Sequence, residues 1–168
     1  MTTTALARTG ARPLSRKGRV AIQRASGKVA RRGTLPEYLE PTEINALIQV
    51  APHGVARLAM LVQWRAGLRV SEALHLEVAD LALDGEPPTL RVRRGKGGKD
   101  RVVPVHPELA AGLRNFLAFS PLGRTRHGPI FDTTRSTAWR WLKLALERAV
   151  ELGAIPPGRK VGTHTLRH

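Results

Sequence analysis

A chain of 168 residues, 42% of them hydrophobic, is long enough for one ordinary domain plus a tail, and wholesale disorder is excluded. Its 28 Lys+Arg against 13 Asp+Glu leave a formal net charge of +15, so the natural partner is a polyanion, because each neutralised phosphate releases condensed counterions. With no cysteine, disulfides and thiolate-bound zinc are excluded, and no apolar run approaches the ~20 residues of a membrane span.

Residues 1–36 contain no acid, while Arg8, Arg12, Arg16, Lys17, Arg19, Arg24, Lys28, Arg31 and Arg32 are spread among small and polar residues. The expectation for residues 1–34 is a basic, disordered arm or linker that can follow a phosphate backbone. It lacks the apolar centre of a secretory signal. Residues 35–168 form the folded domain.

Residues 42–50 read as a helix, with Thr42 as N-cap, Glu43 in the first turn and Ile44, Leu47 and Ile48 on one face. Pro52-His53-Gly54 breaks it. Val55, Leu58, Ala59, Val62 and Ala66 mark the inner face of a second helix closed by Gly67, and Ser71 caps a short third one. After a turn at 84–88, Leu90 and Val92 alternate with Arg91 and Arg93, and residues 101–105 return as a second strand. Between the strands lies a glycine-rich hairpin tip, residues 94–100. Pro107 opens a helix to about Phe119. Residues 121–129 are loop, followed by the apolar pair Ile130-Phe131. The strongest helical periodicity spans 134–152, where Ala138, Leu142, Ala145, Ala149 and Leu152 recur at three or four residues. Trp139 and Trp141 on that helix read as core or interface residues. Residues 153–162 are a loop that delivers a last fragment of helix, His164-Thr165-Leu166-Arg167-His168. The fold class expected is α+β, mainly helical with a small antiparallel sheet.

Three segments can carry chemistry. In Gly67-Leu68-Arg69-Val70-Ser71-Glu72, Arg69 is open to two compatible readings. It is a structural partner of Glu72, or a guanidinium that Glu72 holds so that its fork presents two donors to phosphate. In Gly95-Lys96-Gly97-Gly98-Lys99-Asp100-Arg101, the spacing of a nucleotide-binding P-loop is absent and the flanks are strands, so nucleotide hydrolysis is rejected. The tip is then a soluble surface hairpin, or it carries the Lys96 ammonium into a DNA groove to protonate a leaving oxygen. In the last segment, His164 and His168 lie four apart, but a zinc site needs further ligands and no Glu follows His164. His164 and Arg167 are better explained as an acid/base and a cation aimed at one phosphate.

Taken together and in this order, Gly-Leu-Arg69-x-Ser-Glu72, Gly-Lys96-Gly-x-Lys-x-Arg101 and His164-x-Leu-Arg167-His168 resemble the catalytic domain of the tyrosine recombinase (phage integrase) family. The resemblance covers residues 35–168 and implies that fold. It implies a tyrosine that attacks a DNA phosphodiester and leaves a 3′-phosphotyrosyl link, without metal or other cofactor. Arg69 and Arg167 would match the two arginines on the non-bridging oxygens, Lys96 the lysine that protonates the 5′-oxygen, and His164 the acid/base beside them. Glu72 and His168 would be supporting residues, while Arg93, Arg94, Lys99 and Arg101 would lie along the DNA backbone. The implied partners are double-stranded DNA and, on it, further copies of the chain or a full-length recombinase. No membrane is involved, and the expected location is cytoplasmic, with the DNA of a nucleoid or plasmid.

The family places its nucleophilic tyrosine downstream of the last motif. The sole tyrosine here is Tyr38, upstream of all three segments, where it reads as a packing residue. The expectation is therefore a C-terminally incomplete catalytic domain with no nucleophile of its own. Two functions follow from that: a recombinase or fragment of one, and a catalytically inactive DNA-binding chain that occupies recombination sites or modulates a full-length enzyme.

Overall fold

In the computed structural model, residues 38–168 are described apart from Arg126, Thr163, His168 and the side chains of Lys96 and Arg124. The expected basic arm and the supporting role of His168 lie outside the described residues. The first helix among the described residues, α1 (Pro41–Gln49), starts one residue before the expected Thr42, and its N-cap is Glu40. Pro41 needs no partner for a missing N–H at the first helical position, and the Glu43 carboxylate accepts the Glu40 N–H at 2.8 Å. Ile44, Leu47 and Ile48 are buried, as their spacing predicts.

Helix α2 (Gly54–Arg65) is capped by His53, whose Nδ1 accepts the Ala56 N–H at 3.2 Å. Gly67 then turns the chain in the left-handed region (φ 61°), which suits glycine, and leads it into α3 (Val70–Leu74). The N-cap of α3 is Arg69, not the expected Ser71. Glu72, at the third helical position, accepts the Arg69 N–H at 2.8 Å and so fixes the start two residues earlier.

The sheet has three antiparallel strands in the order β1 (Leu81–Ala82), β2 (Thr89–Val92), β3 (Arg101–Pro104), with Leu90 opposite Val103 and Val92 opposite Arg101. Strand β1, only two residues long, was not expected. Along β2, Leu90 and Val92 are buried while Arg91 points to solvent, the period-two alternation of a half-buried strand.

Helix α4 (Pro107–Phe119) begins at Pro107 and ends at Phe119 as the sequence suggests. The stretch expected as loop contains a short helix, α5 (Leu122–Thr125), docked on α4. Helix α6 (Arg135–Glu151) is capped by Thr134, whose hydroxyl oxygen accepts the Thr137 N–H at 3.2 Å. Helices α1, α2 and α3 all pack on α6, and α4 packs on α2. Leu47, Leu68, Leu90, Leu109 and Leu113 are fully buried in one core, each contributing about 2 kcal/mol through apolar burial. The terminal fragment is one 3₁₀ turn, Thr165–Arg167, instead of the start of an α-helix. It packs on α2 with Leu166 inside. Among the described residues, no helix is long and apolar enough to cross a membrane.

Candidate active site

Glu72 sits where the first two chemical segments meet. Its Oε1 accepts Arg69 Nη1 and Arg101 Nη1, both at 3.0 Å, and its Oε2 accepts the Arg69 N–H at 2.8 Å and Arg101 Nη2 at 2.9 Å. The Glu72 side chain is only 7% exposed. Four donors on one buried carboxylate strongly favour its charged form. The Arg101 guanidinium, and after it the Arg69 backbone N–H, hold the Glu72 carboxyl at about 2 instead of the usual 4.5, although burial pushes the other way. The Glu72 carboxylate, through its hydrogen bonds, in turn raises the pKa of Arg101. Two guanidinium groups around one carboxylate leave a net positive charge, and the Arg69 side chain is 30% exposed.

The hairpin tip rests on this group. Gly95 N–H donates to the Lys99 carbonyl at 2.9 Å and Gly98 N–H to the Gly95 carbonyl at 2.9 Å, which folds Lys96–Gly98 into a tight turn. A Cβ on Gly95 would stand 2.6 Å from Arg101 Nη1, closer than a real Cβ comes, and in tight contact at 3.0 Å with the Lys99 carbonyl oxygen. The backbone that presents Lys96 is therefore seated against the Arg101–Glu72 pair. Arg94, in the left-handed region at φ 48°, is held by Asp100, which accepts its N–H at 2.9 Å and the Arg91 guanidinium at 2.6 Å. Those bonds, the Arg94 N–H first, lower the pKa of Asp100.

Arg93 is bound to two carboxylates: Nε reaches Asp80 at 2.6 Å and Nη2 reaches Glu77 at 2.9 Å. The bond to Asp80, and then that to Glu77, raises its pKa further. Glu72, Glu77, Arg93 and Arg94 share a cleft of about 530 Å³ with Ser71 and His75. Lys99 is exposed at the turn.

The terminal motif is the third segment. Its 3₁₀ turn packs on α2, the helix whose end leads into Arg69, and Arg167 is exposed there. His164 is exposed and lines a second cleft, of about 430 Å³, with Arg135, Ser136, Trp139 and Gly162. The loop before it is fastened to α1, since Arg159 Nη2 lies 3.1 Å from both carboxylate oxygens of Glu43.

The structure thus brings Arg69, Glu72, Arg101 and the Lys96 turn together, and gives His164 a cleft of its own. Tyr38, expected to pack, is 52% exposed. Sequence reasoning missed that Arg101 is bonded to Glu72, that Arg93 is bonded to Asp80 and Glu77, and that Arg159 anchors the last loop. The scarcity of acids was the available signal: with 13 carboxylates among 28 cations, each buried acid was bound to attract arginine, though the sequence does not say which. Trp139, 37% exposed, lies beside His164 rather than in the core.

The family model described as the phage integrase family matches residues 37–168. Tyrosine recombinase XerA of Pyrococcus furiosus is 36% identical over 147 residues, covering 80% of this chain and 46% of that protein. Tyrosine recombinase XerD of Caulobacter vibrioides is 33% identical over 148 residues, covering 80% and 47%. Among solved structures, XerA recombinase is similar with a TM-score of 0.63 at 28% identity, covering 82% of this chain and 49% of that one. A XerH site-specific recombinase bound to palindromic difH substrate shares the fold, with a TM-score of 0.57 at 22% identity over 80% of this chain and 40% of that one. The chain spans about half the length of the curated relatives it matches.

Proposed function

The chain belongs to the phage integrase family, and on that premise we propose that it carries the phosphate-gripping machinery of a tyrosine-type site-specific recombinase acting on duplex DNA. One observation supports this reading above the others. Arg69 is seated on a buried carboxylate that a second arginine also neutralises, so a guanidinium of fixed orientation keeps a positive charge for an incoming phosphate.

The reaction is a transesterification. A tyrosine oxygen bonds to phosphorus, the bond from phosphorus to the 5′-oxygen breaks, and that oxygen takes up a proton. Arg69 and Arg167 stabilise the charge that builds on the non-bridging oxygens. Lys96, on its glycine turn, supplies the proton to the 5′-oxygen, and His164 exchanges the proton of the attacking hydroxyl. His168 supports them. Arg94, Lys99 and the cations of residues 1–34 follow the flanking phosphates, and no metal or other cofactor takes part. Further copies of the chain, or a full-length recombinase, assemble with it on the DNA, and the protein resides with that DNA.

A second reading is favoured by the position of the one tyrosine, Tyr38, which precedes all three segments. On that reading the chain occupies recombination sites without cutting them. A suicide half-site duplex separates the two. A covalent protein–DNA adduct supports cleavage by the chain, and retention of the duplex without adduct supports occupation alone. Failure to retain duplex DNA at low salt would reject both.

A further inference from the structure

We propose that Arg101 is a positioning residue, which by neutralising Glu72 and seating Gly95 keeps the Arg69 guanidinium and the Lys96 turn in register on one phosphate. The inference deepens the reading above and rests on it.

Three observations carry it. First, Arg101 and Arg69 bind the same two carboxylate oxygens, so each limits the pull of Glu72 on the other. Arg69 uses one side-chain nitrogen on Glu72, and its remaining donors make no hydrogen bond among the described residues. Without Arg101, Glu72 would have Arg69 as its sole cationic partner, and the Arg69 fork would close onto the carboxylate instead of staying open to an anion. Secondly, Arg101 is the first residue of β3, while Glu72 lies in α3, 29 residues earlier. Their two parallel bonds fasten the hairpin to the helix start. Thirdly, Gly95 lies so close over Arg101 Nη1 that any Cβ would meet it at 2.6 Å. The turn bearing Lys96 therefore takes its height from the Arg101 guanidinium. His75, Glu77, Arg93 and Arg94 are the other ionisable groups on the cleft that Glu72 lines, and Asp80 and Glu77 already hold Arg93. Arg93 is thus committed elsewhere and does not stand in for Arg101.

The test uses the full chain and two nicked duplexes of one sequence, the nick ending in a 3′-phosphate or in a 3′-hydroxyl. Wild type should prefer the 3′-phosphate by about 10-fold or more, the effect of one or two charge-assisted hydrogen bonds. Arg101→Ala should reduce that preference, read as the ratio of the two affinities, to about 2-fold or less, and Arg101→Lys should restore only part of it, lacking the fork. Gly95→Ala should also lower the preference, and should have a smaller effect in the Arg101→Ala background, where only the 3.0 Å contact with the Lys99 carbonyl remains. Carbon-13 NMR of the Glu72 carboxyl should show it titrating at higher pH in Arg101→Ala than in wild type. A purely structural Arg101 would lower binding of both duplexes alike, and a wild-type ratio in the folded Arg101→Ala or Arg101→Lys protein overturns the proposal. A wild type without any preference rejects the phosphate-gripping reading itself and this inference with it.

Discussion

Arg159 grips Glu43 across 116 residues of chain, its Nη2 equidistant at 3.1 Å from the two carboxylate oxygens and its Nε 3.3 Å from one of them. Glu43 is 8% exposed, and this bond ties the loop before the terminal motif to the first turn of α1. Arg159→Ala leaves the carboxylate, among the described residues, with the Glu40 N–H but no cation, and should cost about 2–3 kcal/mol in urea unfolding. Arg159→Ala combined with Glu43→Gln should cost less than the two single changes added together. Strict additivity would mean that the pair is not coupled.

Glu72 should make stability depend on acid pH. Its carboxyl is held at about 2 in the folded protein against the usual 4.5, so the contribution is complete above pH 4.5 and is lost as pH falls toward 2. The expected size is on the order of 2–3 kcal/mol. Denaturant midpoints of wild type and Glu72→Gln should differ most at pH 6 and draw together as pH falls to about 2. A gap that is unchanged at low pH would show that the Glu72 charge is not its source.

Arg69→Ala and Arg167→Ala should abolish any adduct formation on a suicide substrate while weakening duplex binding only modestly. A lost charge-assisted bond in the transition state costs about 1.5–3 kcal/mol, or roughly 10- to 150-fold in rate, and each arginine makes more than one. Normal cutting by either variant would remove that arginine from the clamp.

Exposed and engaged cations should respond differently to salt. Lys99→Ala removes an exposed charge and should reduce the slope of log K against log salt by about 1. Arg93, bonded to Asp80 and Glu77, should leave the slope almost unchanged when replaced by Ala and should instead lower the melting temperature. Titrating each variant with duplex DNA at several salt concentrations decides the matter.

Two phenylalanines set the scale of core packing. Phe131 is 2% exposed and Phe131→Ala should cost about 3–5 kcal/mol. Phe119, at the end of α4, is 91% exposed, and Phe119→Ser should stay within about 0.5 kcal/mol of wild type. Equal losses at the two positions would contradict the packing described.

Helices α4 and α6 were legible because their signals are local: proline at a first helical position, a threonine cap, and a long apolar repeat. The β2–β3 hairpin was legible for a similar reason, the alternation of Leu90 and Val92 with arginines around a glycine tip. Strand β1 and helix α5 were not, since two or four residues are too few for a period to show. The starts of α1 and α3 were misjudged by one or two residues because Glu43 and Glu72 reach back to the preceding N–H, and hydroxyl residues nearby offered an equally plausible cap. The last fragment was expected as the start of an α-helix, but Thr165–Arg167 form a single 3₁₀ turn, a stretch too short for a helical period to show. Arg69 and Glu72 were readable as neighbours three apart. Arg101 was not, because its bond to Glu72 depends on how a distant strand crosses a helix, which no local pattern records.

The crowding over Gly95 also bears on how this gene can change. Every amino-acid replacement at codon 95 adds a carbon where the Arg101 nitrogen already stands, so a side chain there displaces the guanidinium from its place against the turn. The neighbouring Gly97 and Gly98 have open space around them, and their constraint is the backbone angle alone. Within four codons, one glycine is constrained by a neighbouring side chain and two by torsion, and a mutational scan of the tip should separate them.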